Sequence, residues 1–345
     1  MKQKTLPLLF AILFTFVAKA QPDPWVRLHP VPATETFDAF YFVDDNTGLL
    51  INYFEVFKTT DGGESWTELD TDLTAQQMTG FGNTVVLDPL YELYISPDAG
   101  ETWNTVDFSE EQWELNRGVY LFSETDMIVF SQLGADFFIN RSEDMGQSWN
   151  TQQIFAFPEW AFGFFAFDFD DLILSDYQAL HYSGDGGDTW QVSNFDFDFT
   201  PTNPLAYAQY DESSLFAIAP GGRCIESVDR GANWLTKGFL PEFDGQLTAV
   251  DFEDENLGLV TTTGGSIFRT EDGGVTWTDV TPDIMTDYEY TCVHVNEEFA
   301  WIGGERGLLL ELPHQGDEWK TNFFMAGFPE DFAVVNEDLI YTLSD

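Results

Sequence analysis

The chain has 345 residues, with 60 Asp and Glu against 13 Lys and Arg, for a formal net charge of −47. Such an excess of acid argues against nucleic acid as a partner, because phosphate contacts need Lys and Arg to displace counterions, and it disfavours an anionic membrane surface. A hydrophobic share of 43% with 34 Phe and 11 Trp marks a chain that folds, and two cysteines cannot staple it, so the core must carry the stability.

The N-terminus reads as a secretion signal. Lys2 and Lys4 precede an apolar run over residues 6–18, and Ala18-Lys19-Ala20 supplies a small-x-small cleavage site. The run is short for a membrane span and is broken by Pro7 and Thr15. The expected organisation is a signal peptide over 1–20 and one domain over 21–345, secreted or periplasmic, monomeric, with no transmembrane segment after cleavage.

A repeat fills the rest. Residues 59–66 read TTDGGESW, 96–103 SPDAGETW, 142–149 SEDMGQSW, 183–190 SGDGGDTW, 227–234 SVDRGANW and 270–277 TEDGGVTW. The pattern is Ser/Thr-x-Asp-x-Gly-x-Ser/Thr-Trp, with Asn233 the one departure. A worn seventh copy, LPHQGDEW, ends at Trp319 and has His314 where Asp is expected. Successive Trp residues lie 37, 46, 41, 44, 43 and 42 positions apart. A period near 42 residues is the signature of a repeat architecture.

Residues before each motif alternate, as in Glu55-Val56-Phe57-Lys58 and Ser266-Ile267-Phe268-Arg269, which predicts a half-buried strand. The motif is then a hairpin turn. Its Asp accepts backbone N–H groups, its Gly takes a positive φ, and its Trp opens the return strand and buries a ring. Two more strands precede each motif, over 247–253 and 258–263 in the sixth repeat and over 162–169 and 172–175 in the fourth. Four short strands per period predict an all-β chain, a β-propeller of four-stranded blades. Separate small domains would each leave a sheet face uncovered.

These octapeptides resemble Asp-boxes, or BNR repeats, found in sialidases, sortilin-type receptors and propellers similar to photosystem II assembly factors. The phrasing is most like the last group: blades end in TTDGGESW or RTEDGGVTW, with NTGLL and ENLGLV in second strands. The resemblance runs from Trp25 to the C-terminus. It implies that Asp61, Trp66, Asp98, Trp103, Asp144, Trp149, Asp185, Trp190, Asp229, Trp234, Asp272 and Trp277 are structural. It also implies that ligands bind the opposite rim, made by the second-to-third and fourth-to-first connections.

Ring closure has alternatives. Seven segments are complete, residues 25–31 resemble a further outer strand, and 331–335 with 339–343 resemble the first two strands of another blade. Three outcomes follow: seven blades with surplus ends, seven plus a thin eighth composite blade, or a truncated frame. The cost of leaving apolar residues 332–335 unpaired favours eight.

The opposite rim supplies the candidate binding residues Trp113, Trp160, Phe197, Tyr288, Arg223 and Arg306. Exposed aromatics suit stacking on a sugar or docking of a protein; any single ring is more readily a gap-filler between blades. Sialidase chemistry needs three converging arginines, because only guanidinium offers a planar fork for a carboxylate. Arg141, Arg230 and Arg269 lie in or beside Asp-boxes, and Arg223 and Arg306 lack a third partner. The scattered His29, His181, His294 and His314 show no metal spacing. Residues 167–171 (FDFDD) offer oxygen ligands for Ca²⁺ but read better as a strand with acids facing solvent. Cys224 and Cys292 fall in blades too far apart to pair. No cofactor and no catalytic residue is assigned.

The resulting expectation is a non-enzymatic, secreted propeller that binds a protein partner through the rim opposite the Asp-box turns. The alternative is a carbohydrate-binding or glycoside-hydrolysing propeller. The basic patch through which the resembling assembly factors dock a membrane partner has no counterpart in a chain this poor in Lys and Arg.

Overall fold

The computed structural model describes residues 36–343, apart from 70–72, 90–91, 108–114, 135, 155–160, 177–178, 199–205, 220, 283–288, 297–298, 314–319, 324–330 and 337–338. At 115–117, 161–162, 299, 306, 313, 320–323, 331–336 and 339–343 the backbone alone is described.

Among the described residues, seven sheets follow one another along the chain, over 37–68, 77–107, 115–154, 161–192, 206–239, 247–279 and 290–323. Each is a blade whose strands pair antiparallel in chain order. Among the described residues, first strands of successive blades adjoin at six of the seven junctions, all but that between blades 4 and 5, so they form the inner wall of the ring.

The reason for a ring lies in the second strands. Leu49-Leu50-Ile51, Val85-Val86-Leu87 and Ile128-Val129-Phe130 are buried at every position. A strand with both faces buried reads as a continuous apolar run, and alternate side chains leave it in opposite directions. Leu50 points into the seam with blade 7, beside Trp301 and Leu309, whereas Leu49 and Ile51 point into the seam with blade 2, beside Val85 and Leu87. The other five seams are built the same way, each with its own apolar cluster. Among the described residues the core is not one cluster but seven wedges that alternate with the seven blades.

This arrangement corrects the preference for eight blades. Blades 7 and 1 meet directly, through Phe37, Phe57 and Trp66 against Cys292 and Trp301. The Thr291 hydroxyl donates to the Phe37 carbonyl, and Phe42 stacks on His294 with centroids 5.2 Å apart. That seam is filled, so it has no room for another sheet. Asp331–Asn336 and Leu339–Leu343 pair with each other as a two-stranded sheet. Residues 25–31 lie outside the described residues.

Blade 5 departs from the pattern. Its outer strand, Asn233–Phe239, has seven residues where Thr67–Glu68, Gln191–Val192 and Thr278–Asp279 have two. Asn194–Phe195 runs parallel along its outer edge. The chain leaving blade 4 therefore crosses onto blade 5's edge before entering that blade's inner strand.

Candidate functional site

The two rims differ in how their polar groups are used. In the first Asp-box, Asp61 Oδ1 accepts the Thr59 hydroxyl at 2.8 Å and the Ser65 N–H at 2.9 Å, and its Oδ2 accepts the Ser65 hydroxyl at 2.5 Å. Thr59 Oγ1 in turn accepts the Gly63 N–H at 2.8 Å. The same bonds recur around Asp98, Asp144, Asp185, Asp229 and Asp272. Asn233 fits because its amide donates to Asp229 Oδ2 at 2.6 Å, as a hydroxyl does elsewhere. Burial works most against the Asp61, Asp98 and Asp229 carboxylates, yet hydrogen bonds from the loop hold all six aspartates below the usual carboxylate range. Each loop is also tied to the first-to-second strand turn of its blade, as in Gly62 N–H to the Asn46 carbonyl and Gly273 N–H to that of Asn256. These two turn types therefore share one rim.

The tryptophans close the loops from below. Trp190, Trp234 and Trp277 donate their indole N–H to Gly187, Gly231 and Gly274. Trp66 and Trp234 are fully buried, and Trp103 and Trp149 pack against the clusters of their seams. The worn copy at 314–319 lies outside the described residues.

The acid-rich segment 167–171 is a turn, not the solvent-facing strand expected. Asp168 accepts the N–H groups of Asp170 and Asp171, and the Arg230 guanidinium from blade 5's Asp-box reaches both Asp168 and Asp171. A cation of the chain thus sits where a Ca²⁺ ion was weighed. Among the described residues no cluster of His, Cys, Asp or Glu has the geometry of a metal site. Cys224 and Cys292 are free and buried, and burial pushes each thiol up to about 12.

On the opposite rim, Trp113, Trp160 and Tyr288 lie outside the described residues. Arg306 is in a short 3-10 turn, Glu305–Gly307, with only its backbone described. Phe197 and Arg223 are brought together: the guanidinium lies 4.3 Å from the Phe197 ring centroid. On its other side, 4.7 Å away, is Phe239, which sequence reasoning missed. Nη1 of Arg223 also donates to Thr236 Oγ1 at 3.0 Å, and Thr236 donates to Asp196. Register could have revealed Phe239, because Arg223 and Phe239 are paired across neighbouring strands.

Residues 239–336 match the family model described as photosynthesis system II assembly factor YCF48. No curated protein matches the sequence. Among solved structures, YCF48 from Cyanidioschyzon merolae superposes with a TM-score of 0.63 at 16% identity, over 82% of this chain and 97% of that one. A structure titled YCF48 bound to D1 peptide gives 0.61 at 19% identity, over 86% and 98%. An ancestral GH74 enzyme gives 0.60 at 14% identity, over 93% of this chain and 50% of that one. The chain is an Asp-box, BNR-repeat β-propeller that resembles the YCF48 photosystem II assembly factors.

Proposed function

We propose that the protein is a non-enzymatic scaffold that binds a protein partner outside the cytoplasm, through the rim and edges away from the Asp-box turns. The observation that carries this is the division between rims. All six intact Asp-boxes spend their carboxylates and hydroxyls on their own loops, and Phe239 and Val192 are exposed away from those turns, although Phe81, Val228 and Val275 are exposed on the Asp-box rim itself. The similarity to a propeller whose title reports a bound peptide supports a protein ligand. Export to the periplasm or beyond is supported by the Lys-flanked apolar start and the Ala18-Lys19-Ala20 site.

Affinity capture tests the role. The chain from Gln21 is immobilised and exposed to extract from its own envelope in moderate salt. A specific protein should be retained, and retention should fall when Trp113 and Trp160 are changed to Ala. Retained glycan without protein would overturn the scaffold role in favour of a carbohydrate-binding propeller.

A further inference from the structure

The seam between blades 4 and 5 is open at its outer edge. A groove of about 340 Å³ lies there, lined by Ala179, Val192, Phe195, Phe197 and Asp198 among others. Val192 is 59% exposed, and Phe239, joined to Phe197 through the stacked Arg223, is 53% exposed. The crossing of Asn194–Phe195 onto blade 5 shapes this groove. Its backbone is held by Ala232 and Trp234, and the Ser193 hydroxyl donates to Gly231 at 2.6 Å. The walls are therefore anchored to two blades and preorganised, which lowers the entropic cost of binding.

Charge selects the occupant. Among the described side chains, Lys58, Arg230, Lys237 and Arg269 lie against carboxylates. Arg141 donates to Phe169, Gly186 and Gln152. Arg223 is held between rings. Beside the groove Asp196 and Asp198 outnumber Arg223, and both are exposed. A ligand of like charge is repelled by this field and a cationic one is drawn in.

Resting on the scaffold role above, we infer that this groove receives an extended segment of the partner in which an apolar side chain is flanked by Lys or Arg. The apolar group inserts beside Val192 and Phe197 and covers Phe239. A flanking cation meets the exposed Asp198, with Asp196 beside it.

Fluorescence anisotropy with two labelled peptides tests this, one alternating lysine with leucine and one alternating glutamate with leucine. The lysine peptide should bind and the glutamate peptide should not. Phe239→Ser and Val192→Ser should each weaken binding about tenfold, the scale of leaving such a side chain uncovered. Asp198→Asn should weaken it less and flatten its salt dependence. Phe54→Ser, at an equally exposed ring on blade 1, should change nothing. Near-ultraviolet circular dichroism checks that each variant is folded. Binding that is indifferent to all three groove variants, or that falls equally with Phe54→Ser, overturns the groove. So does absence of binding, or preference for the glutamate peptide. In each case the envelope capture result stands or falls separately.

Discussion

The Asp-box rim and the edge between blades 4 and 5 are made from the same kinds of residue put to opposite uses. At the rim, Asp, Ser, Thr and Gly bond one another within eight positions, and neighbouring loops are interchangeable copies. At the edge, Asp196, Phe197, Arg223, Thr236 and Phe239 come from three separate stretches of chain and occur once. Local self-satisfaction makes a fastening. Long-range assembly around a groove leaves surface that a partner can use. That contrast is the basis for looking for function away from the most repetitive motif.

The sharpest way to break the contrast is acid. All six aspartates titrate lower in the folded state than in the unfolded chain, so unfolding takes up protons. Their contribution is complete above about pH 3.9, the ordinary carboxylate value, and is lost as pH falls through the folded values. Unfolding followed by tryptophan fluorescence should therefore collapse below pH 3.9, through all boxes at once. A single deletion comes next. Trp234→Ala removes a fully buried ring that stacks on Phe195 and bonds Gly231, and should cost roughly 3–5 kcal/mol in urea unfolding. Asp61→Ala leaves Thr59 and Ser65 without their acceptor and should cost about 2 kcal/mol.

The sequence made the Asp-boxes and the blades legible because both are local. A side chain that caps its own loop, and a strand that alternates, need no knowledge of the rest of the chain. Closure was not local. Whether the ring holds seven or eight blades depends on how Trp301 and Phe42 fill the last seam, with stacked rings 6.2 Å apart, and no spacing encodes that. The edge strand was hidden for a similar reason. Residues 191–197 (QVSNFDF) alternate like an ordinary strand end, and only the structure shows that Asn194 and Phe195 leave blade 4 to pair with Asn233 and Trp234. Of the candidate rim, Phe197 and Arg223 were found separately, but their contact was not foreseen.

A smaller effect sharpens the rim side of the comparison. Three boxes place Ala99, Met145 and Arg230 where the others have Gly, and all three hold φ between 56° and 59°. The left-handed conformation costs an L-residue about 1–2 kcal/mol, part of which is returned by the lower entropy of its unfolded chain. Ala99→Gly should therefore raise stability by about 0.5 kcal/mol, read as a rise in urea midpoint at unchanged slope. Arg230→Gly should not gain, because it gives up the ion pairs to Asp168 and Asp171.

The most direct test of the central claim pairs one residue from each region. Asp98→Asn and Phe239→Ser are compared with the parent chain for thermal midpoint and for affinity toward the lysine–leucine peptide, per folded molecule. The account predicts that Asp98→Asn lowers the midpoint and leaves affinity unchanged, while Phe239→Ser lowers affinity and leaves the midpoint unchanged. An Asp98→Asn variant that keeps its midpoint but loses the ligand would place binding on the Asp-box rim and contradict the division of labour described here.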